Sequence, residues 1–377
     1  MSSSNSELKI VWWIDHLGPG GSQRILTRLV EHMAQQGAKQ SVICLNAAFD
    51  EELTRRIAQA GAKLHIIGKQ RLFIGTGMLA ILQLIREQGF DVSVTFLFHA
   101  DVVGTILAWL GKVPVRISAQ RSSNHHYSSF RCTMIKSVLT TATLIVLNSS
   151  TYRLNAKRFL PERVPVCVIP NGVDTRAFSH SNDSPRLRES FKLPPNIPLI
   201  GCVGRLSPEK GAEDVIRALS LLKDKTPHLV LAGDGPQKTH LVRISESLNL
   251  ADRVHFLGEI RDVRPILADL SVYVLASSFE GMPNSLIEAM SASCPVAVSA
   301  IDPNLDLIGK DARGWSFPYG DSQVLAETID LILASPERVS TRIRAARQHI
   351  KKCYPEKNML RAWQLVLEKN TTRSLQL

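Results

Sequence analysis

Short apolar runs alternate with longer segments of helical periodicity along almost the whole chain. The runs are rich in Val, Ile and Leu, which is typical of parallel strands that helices cover on both faces. In the first half they predict strands at 9–14, 41–45, 63–67, 92–95, 115–119, 144–147 and 166–169. Helical patterns between these runs include 22–36, 77–88 and 130–140.

The segment 179–196 interrupts this alternation because it is rich in Ser, Pro and charged residues, a composition typical of linkers. Strand patterns then resume at 199–203, 228–232, 254–257, 272–276 and 295–299. The sequence therefore predicts an α/β protein with two doubly wound, Rossmann-like domains, 1–178 and 197–355, facing across a ligand cleft. The pattern leaves open whether the helical stretch 356–368 packs back on the first domain.

The composition of the 377-residue chain is that of a globular protein, with 44% hydrophobic and 21% charged residues. No apolar run approaches the ~18 residues of a membrane span. The polar start lacks the apolar core of a signal peptide, so we expect a cytoplasmic protein. No two of the six cysteines are spaced as C-x-x-C, which indicates neither a zinc site nor a redox pair.

The net charge of +11 lies mostly in the first half of the chain. Residues 1–174 hold 19 Lys/Arg against 11 Asp/Glu, whereas 175–377 hold 26 against 23. No nucleic-acid motif accompanies the excess, so an anionic membrane surface is the preferred partner. The segments 69–74 and 153–160 mix cations with large apolar residues and could dock on lipid. The alternative is that they are core helices with basic outer faces.

The most informative segment is 279–288, Phe-Glu-Gly-Met-Pro-Asn-Ser-Leu-Ile-Glu, which follows a predicted buried strand and enters a helix. Open α/β sheets bind ligands at this edge, and helix N-termini attract anions. Carboxylates such as Glu280 and Glu288 can hold sugar hydroxyls. The alternative is that Ser285 and Glu288 form an ordinary capping box.

A glycine-rich loop, 15–22, connects the first strand to the first helix, where backbone amides could approach an anion. It is not a dinucleotide fingerprint, because Gln23 stands where the third glycine is required. The strand that ends at Leu45 also lacks the acid that binds a ribose. A plain tight turn is the alternative interpretation.

The second domain opens with a strand, a glycine, and two cations, Arg205 and Lys210, before a helix. A planar guanidinium and an ammonium together suit a diphosphate, although solvated side chains on a surface turn are the alternative. A P-loop is excluded, because no Gly-x4-Gly-Lys-[Ser/Thr] occurs. The later segments 232–236 and 256–258 are, each alone, ordinary strand-to-helix connections.

Taken in order, these segments resemble the retaining glycosyltransferases of family four, which have the GT-B architecture. The resemblance rests on the Gly-Gly loop, 171–174, 204–211, 232–236, 256–258 and the pair Glu280/Glu288. It implies that Arg205 and Lys210 grip the donor diphosphate, that Glu280 holds the transferred sugar, and that Glu288 binds the ribose. The donor site that it implies comprises Gly20, Gly21, Arg205, Lys210, Gly258, Glu259, Ile260, Glu280, Gly281, Met282, Pro283, Asn284, Ser285 and Glu288.

The resemblance also implies a metal-independent enzyme without a cofactor, in which cations and a helix N-terminus supply the positive charge. Many family members carry a His after the fifth strand, where this chain has Arg121. Arg121, followed by His125 and His126, is therefore the candidate for the acceptor or sugar side, and a solvated loop is the alternative for the two histidines. His99, after the fourth strand, is a further candidate, and the alternative is that it only packs. A second departure is the segment 301–304, Ile-Asp-Pro-Asn, which replaces a Gly pair and leaves the sugar open.

The predicted function is transfer of a sugar, hexosyl in type, from a nucleotide-sugar such as a UDP-sugar to a lipid-linked saccharide. The expected acceptor is a polyprenyl-diphosphate-linked glycan of surface polysaccharide or lipopolysaccharide, reached from the cytoplasmic face of the membrane. No nucleic-acid partner is expected. Two alternatives stay open: a nucleotide-sugar epimerase on the same scaffold, and an inactive sugar-nucleotide-binding scaffold protein.

Overall fold

The structure, a computed structural model, describes residues 7–18, 20–68, 76–121, 128–151, 156–178 and 187–374. The chain divides into two compact units. The first comprises Met1–Asn171 with Lys357–Leu377, and the second comprises Gly172–Glu356. The second unit thus begins before the segment 179–196, in which the sequence places the linker.

The first unit is built on a seven-stranded parallel sheet. The strands follow the order β3-β2-β1-β4-β5-β6-β7. The chain therefore reverses its direction of winding between β1 and β4, which is where doubly wound sheets bind ligands. The strands are β1 (Lys9–Ile14), β2 (Lys39–Cys44), β3 (Lys63–Ile66), β4 (Val92–Phe96), β5 (Val115–Gln120), β6 (Leu144–Leu147) and β7 (Val166–Val168).

Helices cover both faces of this sheet, as the continuous apolar runs predict. They are α1 (Gly21–Gln35), α2 (Glu51–Gln59), α3 (Thr76–Gln88), α4 (Phe98–Leu110) and α5 (Ser129–Leu139), with a short 3-10 turn at Ala156–Arg158. Alternate residues of β1 point to opposite layers. Trp12 packs with α1, whereas Trp13 packs with α3 and α4, and α5 lies beside α4.

The last helix, α14 (Glu356–Ser374), belongs to the first unit except for its first residue. Its side chains Met359, Trp363 and Leu367 are buried in the same core as Trp12 and α1. Burial of these large apolar groups is the main source of stabilisation for such a helix, at about 1.5–3 kcal/mol for each fully buried side chain. α14 therefore completes the layer of the first unit that faces away from α3, α4 and α5.

The second unit has a six-stranded parallel sheet in the order β10-β9-β8-β11-β12-β13, which reverses between β8 and β11. The strands are β8 (Leu199–Val203), β9 (His228–Ala232), β10 (Val254–Gly258), β11 (Val272–Leu275), β12 (Val296–Ser299) and β13 (Trp315–Phe317). The helices are α6 (Leu187–Ser190), α7 (Ala212–Leu221), α8 (Lys238–Ser247), α9 (Arg264–Asp269), α10 (Asn284–Ser291), α11 (Asp302–Ile308), α12 (Ser322–Ala334) and α13 (Pro336–Cys353), with a 3-10 turn at Pro208–Lys210.

The predicted fold class is confirmed, because both units are parallel sheets with helices on both faces. The predicted strands agree with the observed ones to within one or two residues at their ends. Among the strands of the described residues, β13 alone is absent from the prediction. Within the described part of the chain, no helix is both long enough and apolar enough to cross a membrane.

Candidate functional site

The candidate donor residues of the second unit lie where its sheet reverses. Arg205 and Lys210 follow β8, and Glu280 follows β11, which is the direct neighbour of β8 in the sheet. Because parallel strands end at the same edge, the fold brings these sequence-distant loops together. The backbone joins them as well, because the amide of Ser278 donates to the carbonyl of Glu209 over 2.9 Å.

The closest contact between the two loops is an ion pair. Lys210 Nζ donates to Glu280 Oε1 at 2.5 Å, and Ser277 Oγ donates to the same oxygen at 2.8 Å. The side chain of Glu280 is 12% exposed and that of Lys210 is 31% exposed, so the pair is partly shielded from water. Such shielding strengthens the attraction and fixes the carboxylate in one orientation.

Arg205 occupies a different environment from Lys210. Its side chain is exposed, and the described residues include no hydrogen-bond or ion-pair partner for its guanidinium. An exposed guanidinium can form two parallel hydrogen bonds with an oxyanion of a ligand. The two predicted cations therefore share one loop, but only Lys210 is held by Glu280.

Behind Glu280, a buried chain of polar groups fixes the loop after β11. Ser299 Oγ donates to the carbonyl of Ser277 at 2.5 Å, and Asn304 Nδ2 donates to the carbonyl of Ser299 at 3.0 Å. All three residues are fully buried. Asn304 belongs to the segment 301–304, which departs from the family pattern, so this departure supports the Glu280 loop from behind.

Gly211 permits the close approach of the two loops. Its φ is +65°, and a Cβ placed on it would lie 2.1 Å from the carbonyl oxygen of Ala276. Any larger residue would therefore push the Lys210 loop away from the end of β11. Gly233 plays the same part on the next loop, where a Cβ would lie 1.9 Å from the carbonyl oxygen of Gly204.

The helix α10 begins at Asn284, and Pro283 is its N-cap residue. Ser285 therefore lies inside the helix, and its hydroxyl accepts a hydrogen bond from the buried Tyr273 hydroxyl at 2.7 Å. The capping-box alternative is thus wrong. Gly281, Met282 and Pro283 form the buried turn before the helix, and Glu288 lies half-buried one turn further on.

The loop after β10 contains the remaining donor candidates of this unit. Gly258 has a φ of +68°, and its carbonyl accepts from the amide of Gly233 at 2.7 Å. Glu259 is exposed and Ile260 is half-buried. This loop is therefore joined through Gly233 to the loop that contains Arg205, at the same edge of the sheet.

In the first unit, the glycine-rich loop runs from β1 into α1. Gly20 immediately precedes the helix and Gly21 is its first residue, while Pro19 lies outside the described residues. The helix has no side-chain cap, and Gln23, on its first turn, lies within 3.4 Å of both ring nitrogens of His16. The binding role of Gly20 and Gly21 stays a prediction.

Asp15 and His99 form a hydrogen-bonded dyad, of which the sequence predicted only His99. Asp15 follows β1 and His99 lies in the first turn of α4, at the point where the first sheet reverses. His99 Nδ1 donates to Asp15 Oδ2 at 2.8 Å, and the amide of Ala100 donates to Asp15 Oδ1 at 2.6 Å. The His99 side chain is 70% exposed, whereas that of Asp15 is 16% exposed.

The backbone at the start of α4 is strained, since Leu97 has a φ of +74°, a conformation unusual for a side chain of this size. Such strain is found where the surrounding structure holds a functional group in a required position. Here it turns the first amides of α4 toward the carboxylate of Asp15. Asp15 could have been suspected from its place directly after a buried strand.

Behind this dyad, Asp101 is fully buried within the first unit. It accepts from Ser118 Oγ and Gln120 Nε2, both at 2.7 Å, and from the hydroxyl of Thr95. Burial raises the pKa of its carboxyl to about 7, although these hydrogen bonds oppose the rise. Nothing in the sequence around Asp101 distinguishes it from an acid on the protein surface.

Arg121 lies at the end of β5 and its guanidinium is buried between two aromatic rings. Its Cζ is 5.1 Å from the centre of Phe96 and 5.4 Å from that of Trp363 on α14. Nη1 donates to Asn171 Oδ1 at 2.7 Å, and burial lowers the pKa of Arg121 to about 9. These contacts show a link between β5, α14 and Asn171, while the predicted role toward an acceptor stays a prediction.

Some parts of the prediction fall outside the described residues. These are the histidines His125 and His126, the basic segment 69–74, and residues 153–155 of the second basic segment. Of the second basic segment, 153–160, the apolar residues Phe159 and Leu160 are buried, so they cannot insert into a membrane. Among the described residues, no group of three or more His, Cys, Asp or Glu side chains is placed to hold a metal ion.

Comparisons with known proteins match both halves of the chain to glycosyltransferase families. Residues 19–177 match the family model described as Glycosyltransferase Family 4, and residues 183–349 match Glycosyl transferases group 1. An Escherichia coli enzyme, UDP-Gal:α-D-GlcNAc-diphosphoundecaprenol α-1,3-galactosyltransferase, is 28% identical over 65% of this chain and 66% of its own length. A GDP-mannose-dependent α-(1-6)-phosphatidylinositol dimannoside mannosyltransferase from Mycobacterium tuberculosis is 29% identical over 48% of this chain and 47% of its own.

These alignments thus span about half to two thirds of the relatives' own lengths. Among solved structures, that of Anabaena HepE with UDP and glucose superposes with a TM-score of 0.86. The superposition covers 96% of this chain and all of HepE, at 20% identity, and establishes the fold. Both halves of the chain match glycosyltransferase models, and both have the expected sheet topology. The chain therefore belongs to the glycosyltransferases of family four and has their GT-B fold.

Proposed function

We propose that this protein transfers a sugar, with retention of its anomeric configuration, from a UDP-sugar to a polyprenyl-diphosphate-linked glycan. The enzyme would be a metal-independent hexosyltransferase of surface polysaccharide or lipopolysaccharide synthesis, peripheral on the cytoplasmic face of the membrane. One observation carries the proposal: Lys210 and Glu280 form an ion pair at the reversal point of the second sheet, beside Arg205 and the start of α10.

The chemistry of this cluster suits a donor with both a diphosphate and a sugar. Arg205 and Lys210 would bind the diphosphate, while the carboxylate of Glu280 would accept hydrogen bonds from sugar hydroxyls. Glu288, one turn along α10, would hold the ribose. Positive charge fixed at the leaving group stabilises the transition state, which is the role that a bound metal has in other transferases.

The proposed reaction needs no protein nucleophile. The bond between the anomeric carbon and the diphosphate oxygen breaks, and the acceptor oxygen bonds to the same face of that carbon. The acceptor proton passes to an oxygen of the leaving diphosphate, so that atoms and charges balance. The protein then acts by positioning both substrates and by stabilising the charge that develops.

The identity of the donor base rests on the relatives. The E. coli relative is named for UDP-galactose, and HepE was crystallised with UDP, whereas the mycobacterial relative is named for GDP-mannose. The test is thermal stabilisation by UDP, GDP, ADP and NAD without added metal. A ligand at ~100 times its Kd adds about 2.7 kcal/mol, and we expect this shift with UDP alone.

The second stage of the test measures transfer from UDP-sugars to lipid-linked acceptors by mass spectrometry. We expect Lys210→Met to lose at least tenfold in both UDP affinity and turnover. The matched control is Arg217→Gln, which breaks the exposed Arg217–Glu213 pair on α7 of the same unit and should change neither. A normal UDP affinity in Lys210→Met would refute the assigned role of this lysine.

The same assays separate two other functions. An epimerase would convert the UDP-sugar in the absence of any acceptor, and product analysis would show the isomer. An inactive scaffold protein would bind UDP but turn over neither substrate. Transfer that requires both donor and acceptor would support the proposal over both.

A further inference from the structure

We propose that α3, α4 and α5 together form the surface that docks on an anionic bilayer, with exposed apolar side chains inserted between the headgroups. These three helices form one layer on a single face of the first sheet, the docking face. The inference rests on the proposed lipid-linked acceptor and identifies the part of the chain that would meet the membrane.

The first observation is the exposure of large apolar side chains on these three helices. Leu79 on α3 is 70% exposed, Trp109 on α4 is 52% exposed, and Phe130 on α5 is 75% exposed. Met78 and Leu110 are also exposed beside them in the sequence. Leu, Trp and Phe are the residues that bury well at the boundary between headgroups and acyl chains.

The second observation is the distribution of charge. Residues 92–161 contain eight Lys/Arg and a single acid, Asp101. Asp101 is fully buried among Thr95, Ser118 and Gln120, so it contributes no negative charge at the surface. The one exposed acid on the docking face, among its described residues, is Glu87, which lies next to Arg86.

Several of the eight cations reach the surface at or next to the docking face. Arg131 and Lys136 are on α5, Lys112 follows α4, and Arg158 follows β6. Arg131 also lies over the ring of Phe98 at 5.5 Å, which holds its charge close to the start of α4. Each Lys or Arg near an anionic surface contributes about 1 kcal/mol to binding.

Apolar groups among the cations favour lipid over nucleic acid. A surface that only binds phosphates gains nothing from Leu79 or Phe130, whereas an interfacial site uses both apolar burial and charge. The opposite layer of the same unit differs, since its helices contain five glutamates among their cations, and both Arg55 and Arg56 of α2 pair with a glutamate. The two faces of the first unit thus provide the test and its control.

The experiment measures sedimentation of the full chain with vesicles of neutral phosphatidylcholine, with and without 30% phosphatidylglycerol. Leu79→Ser and Phe130→Ser remove apolar contacts, and the double variant Arg131→Gln/Lys136→Gln removes charge. The controls are Leu365→Ser and Arg55→Gln. They alter an exposed leucine on α14 and an exposed cation on α2, both on the opposite layer.

We expect binding only to anionic vesicles, and binding that weakens as salt is added. The charge variant should bind roughly 30-fold more weakly, from about 1 kcal/mol for each of its two cations, and each apolar variant at least fivefold more weakly. The controls should bind as the wild type does. Melting temperatures and UDP binding should be unchanged in all five variants, because these side chains are exposed or half-buried in the first unit.

Other results would overturn the inference. These are no binding to anionic vesicles, equal binding to neutral ones, or an equal loss in the control variants. Binding to RNA in place of vesicles, or a dimer that Leu79→Ser and Phe130→Ser dissociate, would assign the face to a different partner. None of these results alters UDP binding or transfer to a soluble acceptor analogue, so the proposed function is tested separately.

Discussion

The two units place polar clusters at corresponding points, where each sheet reverses, but they hold their carboxylates in different ways. In the second unit Glu280 is paired with a cation, Lys210. In the first unit Asp101 is buried among neutral donors, and Asp15 is held by backbone amides and by His99. A carboxylate paired with a lysine can exchange this partner for a ligand, whereas one enclosed by neutral donors stays fixed. The comparison predicts ligand exchange in the second unit and rigid positioning in the first.

The largest expected effect follows from breaking the ion pair on its acidic side. Glu280→Gln should lower turnover by roughly 10²–10³-fold, the loss typical of removing one preorganised transition-state contact. The affinity for UDP should rise, because Lys210 then carries an uncompensated positive charge. Steady-state kinetics and calorimetric titration with UDP measure the two effects. Weaker UDP binding in this variant would show that the pair is not exchanged for the diphosphate.

The next effect is a loss of stability when the Lys210 loop can no longer approach the end of β11 closely. Gly211→Ala should cost about 3 kcal/mol of unfolding free energy, because the new Cβ would collide with the carbonyl of Ala276. Gly320→Ala is the matched control, since its φ is +78° but nothing lies within 4 Å of the added group. It should cost only about 1 kcal/mol. Equal melting temperatures for the two variants would contradict the collision.

The buried acid of the first unit should appear in the pH dependence of stability. Since burial raises the folded-state pKa of Asp101 from 3.8 to about 7, the folded protein binds its proton more tightly than the unfolded chain. The resulting stability is present below pH 3.8 and is lost as the pH rises to about 7, at about 1.4 kcal/mol per pH unit. Asp101→Asn should lack this loss.

Urea unfolding at pH 5, 6 and 7 measures the difference between the wild type and Asp101→Asn. Tryptophan fluorescence reports mainly on the first unit, because four of the five tryptophans, Trp12, Trp13, Trp109 and Trp363, belong to it. A difference that is the same at all three pH values would show that Asp101 is ionised in the folded protein.

The smallest expected effect is on turnover, from a substitution in the Asp15–His99 dyad. His99→Gln should lower turnover about tenfold and raise the acceptor KM, while UDP affinity stays unchanged, because the residue belongs to the first unit. The control is His240→Gln, which alters a similarly exposed histidine that bonds to Glu213 in the second unit at 2.8 Å. Loss of UDP affinity in His99→Gln would place the dyad at the donor and not at the acceptor.

The second unit could be predicted further from the sequence than the first. Arg205, Lys210 and Glu280 lie within short segments that follow apolar runs, so local pattern and sheet topology suffice to bring them together. Asp101 is an isolated acid whose importance depends on partners elsewhere in the chain, such as Gln120, and pairing of this kind leaves no local pattern. Asp15 differs, because its place directly after a buried strand is a local signal of the kind that predicted Glu280.

Burial was the second quantity that the sequence could not provide. The sequence did not indicate that the Arg121 guanidinium lies buried between Phe96 and Trp363, and its role toward an acceptor stays a prediction. Phe159 and Leu160 were expected to be candidates for lipid contact, yet both are core residues. Periodicity indicates which residues share one face of a helix, but the partner of that face depends on the rest of the chain.

The position of α14 has a consequence for the order in which the chain folds during synthesis. Domains usually fold as units while the ribosome is still translating, with the N-terminal one first. Here the core around Trp12 requires Trp363 and Leu367, which are translated after the whole second unit. We therefore expect the second unit to be the first that can complete its core, although it emerges later from the ribosome. The first unit would reach its native packing only after the second unit and α14 have been translated.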